Sequence, residues 1–101
     1  MNLFIIKLNY HKSLDEVDAL IPEHVVFLDK YYANGIFLAS GRQIPRVGGI
    51  ILARAGSRDA VEDLIKEDPF YINDIATYDI TEFLPTKYAD AFAVIMDTLN
   101  E

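Results

Sequence analysis

Two side chains have the chemistry to move a proton together near neutral pH: His24 and Asp68. His24 lies three residues after Ile21 and four before Leu28, spacings that put it on or beside an apolar helix stripe. Asp68 ends the run SRDAVEDLIKED and is followed by Pro69. A carboxylate beside an imidazole fixes its tautomer and raises its basicity, so the other ring nitrogen takes or gives a proton. Such a pair needs no nucleophile, metal or cofactor. It suits proton abstraction, isomerisation or elimination on a small polar substrate. Each residue also has a plainer reading: a half-buried structural histidine bonded to a carbonyl, and an Asp–Pro turn. The position of Asp68 gains meaning only with a cationic or hydrogen-bonding partner, since the penalty there is small and surface helices often tolerate it. The run predicts a helix over 57–68, whose C-terminus carries partial negative charge. An acid there forfeits roughly 0.3–1 kcal/mol unless a cation or donor compensates it.

Other residues bear on what such a pair would act on. Ser40, Gly41 and Arg42 close one predicted strand, Gly48 and Gly49 open the next, and Phe70 follows Asp68–Pro69. Ser40, Gly41, Arg42 and Phe70 are the candidate substrate contacts. Arg42 and Arg46 suit an anionic ligand, although arginines flanking a hairpin are commonly just solvated. The glycines let a ligand approach the backbone, or simply make the turn. They match neither a dinucleotide nor a Walker fingerprint, which needs a following helix. The chain has no cysteine, and a single histidine on the stripe gives no cluster of ligands, so no metal site and no cofactor are expected. His11 reads as a surface loop residue. The tyrosines at 10, 31, 32, 71, 78 and 88 are expected mostly at sheet edges and at a subunit seam.

The elements that must position these groups follow from periodicity and punctuation. LFIIKLNY, 3–10, reads as a strand. Ser13 and Glu16 have capping-box spacing, and Pro22 interrupts the segment that follows. The expectation is therefore a short helical turn at 13–20 and a main helix from about 22 to 34, ended by Gly35. That places His24 in a first turn. IFLASGRQ, 36–43, and GGIILARA, 48–55, read as hairpin strands with a turn at Pro45. Ser57 caps the 57–68 helix, Pro69 stops it, and 70–74 is a connection. IATYDITEFL, 75–84, alternates as a fourth strand, with Ala76, Tyr78, Ile80 and Glu82 on one face. A last helix is expected at 87–99. The order βαββαβ predicts the α+β, ferredoxin-like arrangement: an antiparallel four-stranded sheet with two helices on one face, plus an extra C-terminal helix.

The bulk properties narrow the rest. At 101 residues the chain is expected to be one domain over 1–101, with its core in 1–84. Half of it is hydrophobic, 51%, which excludes a disordered reading. A net charge of −7 with scattered basic residues argues against nucleic acid as a partner. The start lacks signal-peptide features, and no apolar run approaches the ~20 residues of a membrane span. No membrane association and a cytoplasmic location are the expectation.

LFII, IFLA and GIIL are continuous apolar runs, whereas a sheet with one wet face alternates. Two helices cover only one face. A second copy of the sheet is the simplest cover for the other, so we expect a homodimer or higher homo-oligomer burying on the order of 1,600 Å² or more. The tail helix folding over that face is the alternative.

Taken in order, His24 with Val25–Leu28, FLASG at 37–41, GGIILARA at 48–55 and DPF at 68–70 resemble the YciI-like family, over Met1 to about Phe83. The resemblance implies a ferredoxin-like domain that forms a dimeric α+β barrel. It also implies an active-site cleft centred on a His–Asp pair, here His24 and Asp68. Arg42 stands where many relatives have proline after the glycine, which favours an anionic ligand, and the tail beyond Phe83 is longer than in the shortest members. Two functions follow. One is a cofactor-independent enzyme using His24 and Asp68 on a small aromatic or lactone-like anionic substrate. The other is a non-catalytic ligand-binding or accessory module using the same cleft.

Overall fold

The computed structural model describes residues 1–99. Strand β1 (Asn2–Tyr10) leads into helix α1 (Leu14–Ala33), then β2 (Phe37–Arg42), β3 (Gly48–Ala55), helix α2 (Arg58–Ile65), a short helix α3 (Pro69–Ile72) and β4 (Ala76–Phe83). A 3-10 turn (Asp90–Phe92) and helix α4 (Ala93–Leu99) follow. The strands form one antiparallel sheet in the order β2-β3-β1-β4. This is the expected ferredoxin-like arrangement, with the two hairpin partners at one edge and the last strand at the other.

Helix α1 runs unbroken through Pro22, so the expected split into a turn at 13–20 and a helix at 22–34 is corrected. Proline removes one backbone donor and crowds the carbonyl of Asp18, four residues back. Pro22 is exposed, so water can take up the carbonyl it orphans. The start is fixed by Ser13, whose side chain accepts from the Glu16 amide at 3.2 Å while Glu16 returns a bond to the Ser13 amide at 3.1 Å. Gly35 closes the helix at φ +79°, the left-handed conformation expected of it. As a result His24 lies mid-helix, not in a first turn. It interrupts an apolar stripe that includes Val17, Phe27 and Tyr31, all buried against the sheet.

The core lies between α1, α2, α3 and the sheet. Phe4, Ile6 and Leu8 of β1 and Ile51 and Ala53 of β3 point into it. Tyr10, Tyr78 and Ile80 pack at its margin. β1 and β3 approach so closely at Gly48 that a Cβ there would sit 1.7 Å from the Leu8 carbonyl oxygen; only glycine fits. The loop after β2 is drawn back over the end of β1 by the Tyr10 amide, which donates to the Val47 carbonyl at 2.9 Å.

The tail differs from the helix expected at 87–99. Residues 85–89 form neither helix nor strand, and helix begins only at Ala93, after the 3-10 turn. Met96 and Phe92 pack on Leu3 and Leu38, covering one corner of the second sheet face. Elsewhere on that face Ile5 and Phe83 remain exposed, each at 39%. The tail therefore covers part of the face that the continuous apolar runs predicted would need a cover, and leaves part open.

Candidate functional site

The expected helix over 57–68 ends at Ile65, and this changes the physics of Asp68. Asp68 is not an acid at a helix C-terminus. It is the N-cap of α3, a helix that the sequence reading took for a connection at 70–74. Pro69 occupies its first turn, where a missing amide hydrogen costs nothing, and Asp68 Oδ1 accepts from the Phe70 amide at 3.0 Å. The acid thus lies at the favourable end of a helix. The misleading signal was Pro69, which both stops one helix and starts another.

Asp68 is fully buried, and it is the one buried charged side chain among the described residues. Its carboxylate accepts from three elements. His24 Nδ1 of α1 bonds Oδ1 at 2.8 Å, the Phe70 amide shares Oδ1, and the Tyr78 hydroxyl of β4 bonds Oδ2 at 2.7 Å. Burial, and then the Asp68 charge, push the Tyr78 phenol far above its ordinary value, so it stays protonated and acts as a donor. The structure thus brings His24 and Asp68 together across 44 residues of sequence.

The imidazole is fixed in plane as well as in position. It stacks on Phe70 with centroids 4.1 Å apart and planes within 9°, and Tyr10 meets the Phe70 ring in a T-shaped contact. With Nδ1 committed to Asp68, Nε2 is the nitrogen left for chemistry. Nε2 makes no hydrogen bond with a described residue, and His24 lines a cavity. That cavity measures about 190 Å³ between α1 and the β2–β3 end of the sheet. Ser40, Gly41 and Arg42 line it with His24, as do Tyr10 and Arg46. Phe70 does not; it is 1% exposed and forms the floor beneath the imidazole. The Ser40 hydroxyl is engaged with that of Tyr32, which fixes this side of the wall.

The neighbouring acid braces the arrangement. Glu67 accepts from Lys30 and from the Tyr31 hydroxyl, and these bonds hold its carboxyl below the usual range. Residues 67 and 68 are therefore each tied to α1. The expectation that His11 lies on the surface needs one addition: its Nε2 bonds the Asp74 carbonyl, where Asp74 ends α3 at φ +54°. Among the described residues no three histidine, cysteine or acidic side chains converge to hold a metal ion. Tyr78 is the residue that sequence reasoning passed over. Alternation places it on one face of β4 with Ala76 and Ile80, and a buried tyrosine hydroxyl needs a partner. Nothing along the chain said that the partner was Asp68.

A ferredoxin-like domain with a buried carboxylate behind a cavity-lining imidazole defines the general class. The chain belongs to the family of the YCII-related domain, which matches residues 1–84. No curated protein matches it in sequence. Among solved structures it is similar to the 5-chloro-2-hydroxyhydroquinone dehydrochlorinase TftG of Burkholderia phenoliruptrix AC1100, in complex with 2,5-dihydroxybenzoquinone. The TM-score is 0.71 at 18% identity, over 88% of this chain and 97% of that one. It is also similar to SnoaB, a cofactor-independent oxygenase from Streptomyces nogalater, with a TM-score of 0.50 at 11% identity over 88% of this chain and 96% of that one. At these identities the likeness is one of fold. No described helix is long and apolar enough to cross a membrane.

If the Tyr78 hydroxyl helps to satisfy Asp68, Tyr78→Phe leaves a buried carboxylate oxygen without a donor. A loss of about 1–3 kcal/mol is expected in urea unfolding. Stability within a few tenths of a kcal/mol of the wild type would show that the bond contributes nothing.

Proposed function

We propose that the protein is a small cofactor-independent enzyme in which His24, oriented by Asp68, transfers a proton to or from a small anionic substrate of aromatic or lactone-like shape. The observation that carries this reading is the 2.8 Å bond from His24 Nδ1 to a fully buried carboxylate, on a histidine that lines a cavity. When Nε2 takes a proton, the imidazolium forms beside Asp68, whose negative charge is already in place and needs no reorganisation. Phe70 holds the ring plane, and the largely apolar wall limits water around the reacting atoms. The reaction class is proton abstraction coupled to isomerisation or to elimination. The dehydrochlorinase and the cofactor-independent oxygenase support it by analogy, as enzymes on the same fold. Ser40, Gly41 and Arg42 contact the substrate in this reading. Phe70 contributes from beneath the imidazole.

The test is a screen of anionic single-ring compounds, followed by His24→Gln on whichever one turns over. The variant should keep its fold by circular dichroism and lose at least about a hundredfold in kcat, the usual range for general acid–base catalysis. Turnover within about tenfold of the wild type contradicts the assignment. Specific binding with no reaction would favour a ligand-binding module.

We also propose that one domain spanning the chain works as a homodimer, with the open sheet faces packed together around Ile5 and Phe83. Both are large apolar side chains exposed on a face that α4 covers only at one corner. Sedimentation equilibrium should give twice the 11.4 kDa chain mass, and a monomer at micromolar concentration would refute it.

A further inference from the structure

The cavity wall has a charge opposite to that of the whole chain. The chain has 16 acidic and 9 basic residues, yet the wall contains Arg42 and Arg46 and no carboxylate. Both arginines lie at the hairpin end, on β2 and on the loop that Tyr10 draws over β1. Arg46 donates to Asp18 of α1, which is not part of the wall. The Arg42 side chain makes no hydrogen bond or ion pair with any described residue. The Tyr10 hydroxyl lies close enough to feel both guanidiniums: burial pushes its phenol up, while Arg46 and Arg42 pull it back. It remains a phenol and can donate. Most of the remaining wall is aliphatic, with Leu8, Ile21, Leu28 and Ile50 among it. A dry apolar cavity of ~150 Å³ takes a benzene ring, so about 190 Å³ suits one ring carrying a small substituent. The planar guanidinium fork matches the two oxygens of a carboxylate.

We propose that Arg42, Arg46 and Tyr10 form a carboxylate subsite at the hairpin end of the cavity, which selects single-ring carboxylates and in which the ligand competes with Asp18 for Arg46. The ring then lies along the aliphatic wall, with its carboxylate at the hairpin end. This assignment names the substrate class for the cavity proposed above as a substrate site. It does not depend on proton transfer at His24.

Benzoate and its uncharged isostere benzamide separate charge from shape. Each is titrated into the full chain and followed by amide chemical shifts in two-dimensional NMR. Benzoate should bind with shifts centred on the hairpin, and benzamide at least about tenfold more weakly. The Arg42→Gln/Arg46→Gln double variant should weaken benzoate roughly tenfold and leave benzamide unchanged. Asp18→Asn should act in the opposite direction, tightening benzoate by about threefold, because it removes the competing anion. The subsite is overturned if the two ligands bind alike, if neither binds, or if the double variant keeps wild-type affinity for benzoate. The competition is overturned if Asp18→Asn leaves benzoate affinity unchanged or lowers it. A non-reacting probe is read throughout, so these outcomes are independent of whether His24→Gln retains turnover.

Discussion

A carboxylate removed entirely from water must have its acceptor capacity filled by the protein, since leaving it unpaired costs several kcal/mol. Asp68 imposes that requirement at the centre of this domain. Its three donors come from a helix side chain, a backbone amide and a strand side chain. For all of them to arrive, α3 must begin at Pro69, α1 must cross above it at His24, and β4 must present Tyr78 inward. The junction of these elements is thus set by one acid. Of these three partners, the imidazole is the one that lines the cavity beside β2 and β3.

The same packing explains why His24 is aimed. Its place in the α1 stripe would suit an aliphatic residue, and the surroundings treat it partly as one, with Phe70 stacked on its face and Phe27 beside it. The polar edge is divided. One nitrogen is held by Asp68, and the other makes no hydrogen bond with a described residue. A ring fixed in plane and in hydrogen bonding loses little entropy when a substrate arrives, and this is the preorganisation that proton transfer benefits from. Glu67, anchored to Lys30 and Tyr31 one residue before Asp68, steadies the segment from the other side.

The four strands and their succession along the chain could be read because apolar runs, glycines and prolines punctuate it clearly. The capping box at Ser13 and the left-handed Gly35 were equally plain, being local devices. The errors occurred where one residue serves two purposes. Pro22 has the sequence signature of a break, yet its exposure lets the helix absorb it. Pro69 ends one helix and opens the next, so the acid before it was assigned to the wrong helix end. The link between His24 and Asp68 was suggested by topology, which places both helices on one face, but the distance between them depends on packing. Tyr78 illustrates the limit. Alternation gives its side of the strand, while the partner of its hydroxyl caps a short helix that periodicity cannot resolve.

In the proposed mechanism Asp68 fixes His24 with its proton on Nδ1 and leaves Nε2 bare for chemistry. Imidazole nitrogen chemical shifts of the neutral ring, measured in the wild type and in Asp68→Ala, test it most directly. The wild type should show an Nδ1-protonated ring, and the variant a shift towards the Nε2-protonated tautomer. A wild-type ring that is protonated mainly on Nε2 would contradict it.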